Sequence, residues 1–522
     1  MWKMQMEPVK KAKKGIFSFL FSRITILAVL IVIQIVFLVG TVTYMSDYAT
    51  YIYAFLTLLE IVCVIYLLNS SGNPAFKITW ILLIFTVPVV GTVFYLYMRF
   101  MPGTRYIEHR LNALTKLTEP FMKQDLEVLE DLRKSKPANA NLAHYMSQQV
   151  NYPIHRNTSA TYFASGEEKF EEMKRQLNTA EKYIFLEYFI VERGKMWDEI
   201  LEILIDKVKQ GVEVRFMYDG MCSLFQLPYH YDREIRKYGI QCKMFSPIRP
   251  ILSSYQNNRD HRKICVIDGR VGFTGGINLA DEYINAKERF GYWKDTAVML
   301  EGEAVQNLTM LFLQMWNVTN RKTENYTKYL TPKSLQMKRE LGYVLPYGDS
   351  PYDHENIGEQ VYFHIVNHAK KYVHIMTPYL VLDNEMITTL TYAAKCGIEV
   401  IIIMPHIPDK WYAFFLAKTY YSELLEAGVQ IYEFTPGFVH AKVFVSDNDT
   451  ATVGTINLDY RSLYHHFECG VFIYNNPAVW EIEKDFQNTL AYCQKVTLKE
   501  VRNRKLSERL IGQVLRLIAP LM

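Results

Sequence analysis

Apolar positions are concentrated at the start of the chain, in three runs within the first hundred residues. The first, 24–44, is 21 positions long and has no charged residue, so as a helix it could cross about 30 Å of hydrocarbon. The second, 52–68, is shorter and contains Glu60, and the third, 78–97, contains a proline, which membrane helices tolerate. This pattern predicts that residues 1–100 form a membrane anchor with two to three transmembrane helices.

The charges that flank these runs give conflicting signals about orientation. The first run is too long for a signal peptide and no small-residue cleavage site follows it, which indicates an uncleaved anchor. The lysine-rich lead before residue 24 favours a cytoplasmic N-terminus, and three spans would then place the rest of the chain outside. Arg99, Arg105 and Arg110 follow the third run and favour the inside. A re-entrant second run would satisfy both signals, so the sidedness and the number of spans stay open.

Beyond residue 155 the pattern changes to short β-branched strands that alternate with helical stretches, and it occurs twice. The segment "KYIFLEYFIV" at 182–191 resembles "KYVHIMTPYLV" at 371–381. Alternation of this kind predicts an α/β fold in which helices flank a mixed sheet. A period of about 180 residues is too long for a solenoid, so it indicates two tandem domains related by a pseudo-twofold duplication. The predicted parts are a membrane anchor (1–100), a linker with helices (101–155), a first domain (156–335), a second domain (336–495) and a basic amphipathic C-terminal helix (496–522).

One motif is present in both repeats, and it opens an apolar strand with two cationic side chains. The first copy has His261 and Lys263, and the second has His440 and Lys442, 179 residues later. Alternate residues of a strand share a face, so each histidine points the same way as its lysine. Each copy continues with an aspartate five residues after the lysine and ends in "GGIN" or "GTIN". The remaining motif members are Asp268, Asp447, Asn278 and Asn457.

Two imidazoles and two ammonium groups suit the transfer of a phosphoryl-linked group. One histidine can attack phosphorus while the other donates a proton to the leaving oxygen. The lysines and asparagines can bind the non-bridging oxygens, and the aspartates are candidates either for catalysis or for closing a turn. Each histidine also needs a carboxylate to orient its ring: Glu468, 28 residues after His440, is one candidate, and Asp295, similarly placed before a strand, is its counterpart in the first repeat.

Composition excludes several other classes of site. The seven cysteines show no CxxC pair and are odd in number, which favours reduced thiols over disulfides or a zinc site. His465 and His466 lie close to Glu468, but without a third well-spaced ligand they are interpreted as polar surface or pocket edge, and no metal or cofactor is expected. A net charge of +4 and the lack of a basic, aromatic-interleaved tract argue against nucleic acid as a partner.

The two motifs resemble the HKD motifs of the phospholipase D superfamily, over roughly 160–480. The closer resemblance is to bacterial cardiolipin synthases, on "RDHRKICVIDG", "GGINLADEY", "NLDYRS", the N-terminal "VPVVG" and the terminal "APLM". It implies an enzyme of the bacterial cell membrane that joins two phosphatidylglycerol molecules into cardiolipin and releases glycerol. It also implies a covalent phosphohistidine on His261, with His440 as acid and base, although the pseudo-symmetry makes the reverse assignment chemically reasonable. The sequence departs from the family at Thr455, where serine is common, and in having three apolar runs rather than two.

The C-terminal segment offers a further contact with lipid. Between residues 495 and 516 there are seven Lys or Arg and two acids, and from Leu510 the apolar residues recur at helical spacing. A basic amphipathic helix is typical of an anchor on anionic lipid. The alternative is that its apolar stripe packs on the preceding domain.

Three other functions compete with cardiolipin synthesis. A membrane-bound phospholipase D would use the same groups with water as acceptor and release phosphatidic acid. A nuclease of the same superfamily is disfavoured by the membrane anchor, and a non-catalytic scaffold by the two intact motifs. The acyl-chain preference, the acceptor and the oligomeric state stay undetermined.

Overall fold

The computed structural model of the protein describes residues 46–100, 102–222, 226–228, 230–247, 257–320, 324–330, 341–353 and 355–521, with isolated positions between 32 and 44. The chain divides into two compact units, Met1–Pro102 with Pro520–Met522, and Gly103–Ala519. The first contains the apolar segments, and the second contains both strand-rich repeats.

The long helix of the first unit covers the second apolar run. Helix α1, Ser46–Asn69, has 24 residues, and among the residues the structure describes, its part Thr50–Asn69 is the one helical stretch long and apolar enough to cross a membrane. The segment 52–68 is therefore the centre of a longer helix. The predicted segment 24–44 lies, apart from isolated positions, outside the described residues.

The third predicted segment, 78–97, is not one helix. Helix α2, Pro74–Thr86, and helix α3, Pro88–Arg99, are separated by a single residue. The residue before a proline is driven out of the α region, and proline has no N–H to continue the helical ladder. The rings of Trp80 and Tyr95 lie 5.3 Å apart, whereas 15 residues of straight helix would separate them by roughly 22 Å. The chain therefore folds back at the break, and the expectation of one continuous span over this segment is wrong.

Three helices open the second unit and are followed by the first repeat, a seven-stranded mixed sheet. The helices are α4 Pro102–Thr118, α5 Leu126–Ser135 and α6 Pro137–Gln148. The strands of the first repeat are β1 Thr158–Phe163, β2 Tyr183–Tyr188, β3 Glu213–Asp219, β4 Gln241–Phe245, β5 Lys263–Ile267, β6 Val271–Gly275 and β8 Ala297–Gly302, with the short β7 Tyr292–Lys294 apart from the sheet. Its helices are α7 Gly166–Asn178, α8 Lys195–Lys209, α9 Tyr231–Arg236 and α10 Val305–Asn317. The strand order is β1-β8-β6-β5-β2-β3-β4, with β2, β3 and β4 parallel and the other neighbours antiparallel.

The second repeat forms an eight-stranded sheet. Its strands are β9 Tyr343–Asp349, β10 Tyr372–Met376, β11 Glu399–Pro405, β12 Gln430–Phe434, β14 Val443–Ser446, β15 Thr450–Gly454, β16 Glu468–Tyr474 and β17 Cys493–Lys495, with the short β13 Gly437–Val439 apart from it. Its helices are α11 Ile357–His368, α12 Asn384–Lys395, α13 Trp411–Ala417, α14 Tyr421–Glu426, α15 Tyr460–Tyr464, α16 Ala478–Leu490, α17 Leu498–Arg502 and α18 Leu506–Ile518.

The two sheets repeat the same topology. From its edge the second sheet runs β9-β16-β15-β14-β10-β11-β12 and ends in the additional strand β17. Strand for strand this is the order of the first sheet, with β14 in the place of β5 and β15 in the place of β6. The expected α/β fold with two mixed sheets related by duplication is confirmed.

The buried core is continuous from one sheet to the other. Val266 of β5 and Val298 of β8 belong to the same buried cluster as Val443 of β14 and Val453 of β15. Strand β7 of the first repeat also pairs in parallel with β13 of the second. Strands β5 and β14, which carry the two motifs, therefore lie at a shared interface.

Candidate active site

The two histidine–lysine pairs enter this interface from equivalent positions. Lys263 begins β5 and Lys442 directly precedes β14, and each histidine lies two residues earlier. All four side chains are buried, with residue exposures between 1% and 7%. The backbone N–H of His261 donates to a carbonyl oxygen of the second repeat at 2.9 Å, and that of His440 donates to a carbonyl oxygen of the first at 2.7 Å. Each histidine is therefore held by the main chain of the opposite repeat.

Both orienting carboxylates lie against the histidines, and they do so in crossed order. Glu468 of the second repeat has both oxygens 2.9 Å from Nδ1 of His261 in the first. Asp295 of the first repeat has Oδ2 2.7 Å from Nδ1 of His440 in the second. An imidazole that donates from Nδ1 to a carboxylate presents an unprotonated Nε2 when it is neutral. The site is complete only when the two repeats pack together.

Different local contacts hold the two carboxylates. Thr455 occupies the place in "GTIN" that Gly276 occupies in "GGIN". The Thr455 hydroxyl donates to Glu468, so the residue that stands where the family commonly has serine keeps the hydroxyl in use. Gly276 instead leaves space for Asp295, because a Cβ at that position would lie 2.0 Å from Oδ1. The motif glycine is therefore required by the close approach of the carboxylate.

The two lysines place positive charge inside the protein. Nζ of Lys263 donates to the carbonyl oxygen of His261 at 2.5 Å, and Nζ of Lys442 donates to that of His440. Burial lowers the pKa of Lys263 to about 8. Burial, together with the charge of Lys263, lowers the pKa of Lys442 to about 7. Two cations buried in this way are costly, and a phosphodiester bound between them would offset that cost.

The same surroundings determine the charge of the other titratable groups. Burial, and then the nearby lysine charges, lower the pKa of His261 and of His440 well below the usual value, so both rings are neutral when no anion is bound. Burial raises the pKa of Asp295 to about 6, although the charge of Lys442 opposes this. A neutral imidazole is the form needed for attack on phosphorus.

The motif aspartates lie away from these groups, at the far ends of the strands. Asp268 accepts from the backbone N–H groups of residues 181–183, and Asp447 from those of residues 370–372. Both have a φ of 54°, a left-handed conformation that suits a turn. Five residues of strand separate Asp268 from Lys263, or roughly 16 Å. Of the two roles expected for these aspartates, the contacts match the closing of a turn and not catalysis, since each fastens a turn to the preceding strand of its sheet.

The two motif asparagines differ in what they contact. Oδ1 of Asn278 accepts from the N–H of Ile190 at 2.9 Å, and its Nδ2 donates to the hydroxyl of Tyr283 at 2.8 Å. Its amide thus makes protein contacts at both ends, so the structure gives no support to a phosphate-binding role for Asn278. Oδ1 of Asn457 is buried and has no hydrogen-bond partner among the described residues. Turning that amide over would present an N–H group to a phosphate oxygen.

Two residues outside the motifs also bear on the site, Lys410 through its charge and His466 through its position. The charge of Lys410 lowers the pKa of both motif histidines. Lys410 lies in the loop before α13, where no sequence signal distinguishes it. The ring of His466 lies 5.5 Å from that of His261, and its Nδ1 is 3.6 Å from Oε1 of Glu468. His466 is only 8% exposed, so of its two expected positions the polar surface is excluded and the edge of the pocket is met; its nearness to Glu468 in sequence was the signal that marked it.

Comparison with known proteins agrees with this geometry. A family model described as "Cardiolipin synthase, PLD-like domain" matches residues 173–316 and 362–490, one match in each repeat, and a model described as "Phospholipase_D-nuclease N-terminal" matches residues 58–99. An uncharacterized protein of Streptococcus mutans is 53% identical over 459 residues, which cover 88% of this chain and 99% of the relative.

A named relative and a solved structure extend the comparison. A cardiolipin synthase of Halalkalibacterium halodurans is 35% identical over 482 residues, 90% of this chain and 92% of the relative. The crystal structure of a phosphatidylserine synthase of Haemophilus influenzae shares the fold, with a TM-score of 0.55 and 15% identity over 74% of this chain and 98% of that one. Both catalytic repeats therefore have the phospholipase D-like fold, and the chain belongs to the cardiolipin synthase family of the phospholipase D superfamily.

Proposed function

We propose that this phosphatidyltransferase joins two molecules of phosphatidylglycerol into cardiolipin and releases glycerol. The observation that carries the proposal is the crossed pair of carboxylate-oriented histidines, buried with two lysines between the repeats. One lipid headgroup carries the phosphodiester that the lysines would bind, and a second supplies the accepting hydroxyl.

The first step forms the bond to the enzyme. Nε2 of His261 attacks phosphorus, and the bond from phosphorus to the glycerol oxygen breaks. The leaving oxygen takes a proton from Nε2 of His440, so glycerol departs as a neutral alcohol. The bound phosphodiester anion offsets the lysine charges that lower the pKa of His440, which favours the protonated ring that this step needs.

The second step restores the enzyme. His440, now neutral, accepts the proton of a glycerol hydroxyl on the second phosphatidylglycerol while that oxygen attacks phosphorus. The phosphorus–nitrogen bond breaks, cardiolipin leaves and His261 returns to its starting form. Lys263, Lys442 and Asn457 bind the non-bridging oxygens through both steps. All proton transfers in this scheme use side chains of this chain.

The two domain ranges 156–335 and 336–495 are proposed as the two halves that this chemistry needs. Their matching strand orders support the division, and each half contributes one histidine and the carboxylate for the other.

We further propose a multi-pass protein of the bacterial cell membrane that acts on anionic lipid. Support at the N-terminus comes from α1 and from the apolar pattern of 24–44. In the second unit, α18 packs on the domain through Gly512, whose added Cβ would lie 2.6 Å from Cγ2 of Thr419. Its apolar side chains remain exposed, by 42% to 69%: Leu506, Leu510, Ile511, Val514, Leu517 and Ile518. The helix thus packs on the preceding domain on one side, and its exposed apolar side chains suit a lipid surface on the other.

The test of the reaction follows both products. Membranes containing the protein receive phosphatidylglycerol labelled in the terminal glycerol, and lipids and free glycerol are measured by mass spectrometry. Labelled cardiolipin with an equal amount of labelled free glycerol, both absent with His261→Ala, supports the proposal. Phosphatidic acid with free glycerol and no cardiolipin would replace it with hydrolysis.

A second experiment assigns the two histidines. A lipid with a nitrophenyl leaving group needs no proton donor in the first step, so His440→Gln should release a burst of nitrophenol equal to the enzyme present and then stop. His261→Gln should give no burst. If the two variants behave in the opposite way, the nucleophile and the acid exchange roles.

A further inference from the structure

His261, His466 and Glu468 together form a group of metal-ligand type within the active site. Their ligand atoms all lie within 4.8 Å of one another, and all three residues are buried. In the part of the chain that the structure describes, this is the one group of three or more such residues close enough to hold an ion. The third ligand that the sequence lacked near His466 is supplied by the other repeat.

The spacing of these ligand atoms is close to that of a zinc site, and the 2.9 Å between His261 and Glu468 is equally that of a hydrogen bond. Zinc with nitrogen and oxygen ligands at about 2.0–2.2 Å in tetrahedral geometry places those ligands about 3.3 Å from one another. Nδ1 of His261 lies 2.9 Å from both oxygens of Glu468, and Nδ1 of His466 lies 3.6 Å from Oε1. Small movements of the rings would therefore bring the three ligands onto one ion, with a fourth position for water.

His466 provides an independent reason to look for a ligand. Its residue is 8% exposed, and neither ring nitrogen has a hydrogen-bond partner among the described residues. Buried polar groups without partners are rare and costly. The Thr455 hydroxyl, which donates to Glu468, would support a ligating carboxylate in the way that outer hydrogen bonds commonly do.

We propose that one zinc-type divalent ion binds His261, His466 and Glu468 and reversibly inhibits the transfer reaction, an inference that rests on the proposed function of His261. The ion binds the lone pair of Nδ1, and the single N–H proton of the neutral ring moves from Nδ1 to Nε2, so no proton is lost. Nε2 then carries the proton, and the lone pair that attacks phosphorus is no longer free. His440 has no equivalent third ligand among the described residues, and the inhibition therefore acts on one histidine only.

The first measurement is metal binding, because it does not depend on catalysis. Co²⁺, which reports tetrahedral coordination through its visible absorption, is titrated into the metal-free, full-length protein in detergent, and Zn²⁺ is then added to displace it. We expect one ion per chain, with binding weakened at least ~100-fold in His466→Asn and in Glu468→Gln. His465→Asn is the matched control, since it removes the neighbouring histidine, and it should bind as the natural protein does.

The second measurement is cardiolipin formation with added Zn²⁺. The natural protein and His465→Asn should lose activity in parallel with occupancy and regain it with EDTA, whereas the activity that His466→Asn shows without Zn²⁺, whatever its level, should not fall when Zn²⁺ is added at the same concentration. Equal binding, or equal inhibition, in the natural protein and His466→Asn would overturn the inference, as would the absence of a tetrahedral Co²⁺ spectrum. Metal binding by a protein whose metal-free form makes no cardiolipin would instead refute the proposed function, so the two failures are distinct.

Discussion

Replacing Lys442 by methionine should make the protein more stable in the absence of added lipid substrate, while it abolishes transfer. The lysine is 1% exposed, and burial, aided by the charge of Lys263, lowers its pKa although the carboxylates of Asp295 and Glu468 oppose this; the folded protein therefore holds a charge that burial makes costly. Methionine has a similar length and no charge. The substitution therefore removes the unfavourable free energy of burying this charge, which the proposed function requires for binding the substrate phosphate.

The magnitude follows from the pKa. A fall from 10.5 to about 7 corresponds to about 4–5 kcal/mol at pH 6, at about 1.4 kcal/mol for each pH unit. Because the folded-state pKa is the lower one, this cost is complete below pH 7 and disappears as the pH rises to 10.5. About 2 kcal/mol remains at pH 9. Loss of the hydrogen bond to the His440 carbonyl destabilises the variant by about 1 kcal/mol. The net increase in the free energy of unfolding is therefore about 3–4 kcal/mol at pH 6 and about 1 kcal/mol at pH 9.

The assay is thermal unfolding of the detergent-solubilised protein at pH 6 and pH 9. For a unit of this size the gain corresponds to roughly 3–4 °C at pH 6. Lys263→Met should gain less, because the pKa of that lysine is lowered only to about 8. Lys294→Met is the control and should lose stability, since Lys294 is paired with both oxygens of Asp485 at 2.7 and 2.8 Å.

Two outcomes would refute the reasoning. If Lys442→Met unfolds at a lower temperature than the natural protein at pH 6, the lysine stabilises the fold and its charge is compensated. If the gain is the same at pH 6 and pH 9, it does not come from the ionised ammonium group.

Three further predictions concern activity. Glu468→Gln should lower kcat by roughly 10²–10⁴-fold with little change in the unfolding temperature, because the amide no longer selects the Nδ1–H form of His261; a loss under tenfold would contradict the crossed pairing. A plot of kcat/KM against pH should fall below about pH 6, where Asp295 becomes protonated, and above about pH 7, where Lys442 loses its charge; a flat profile from pH 5 to pH 9 would oppose both assignments. Gly276→Ala should lower kcat at least tenfold, since its Cβ would displace Asp295, whereas a fully active alanine variant would mean that the carboxylate has room to shift.

The local pattern of the sequence determined much of the fold and part of the site. Alternation of apolar residues, repeated after 179 positions, was enough to indicate two sheets of the same kind. The two-residue spacing from His261 to Lys263 and from His440 to Lys442 was enough to place each pair on one face. These features follow from backbone geometry within a few residues, so they can be predicted along the chain.

Other features could not be predicted because they depend on how distant segments pack. Glu468 meets His261 across 207 residues and Asp295 meets His440 across 145, and nothing within either motif specifies that the carboxylates cross between repeats. The same holds for His466, which lies close to His261 of the first repeat and Glu468 of the second.

The sequence by itself established that the chain has an apolar N-terminal region, two α/β repeats and four side chains suited to a phosphate. Only the tertiary structure decided that the motif aspartates fasten turns, that the apolar run 78–97 folds back, and that each histidine is oriented by the other repeat. Spacing within a strand is set by the covalent backbone, whereas the choice of partner for a buried charge is set by which surfaces the packed core brings together.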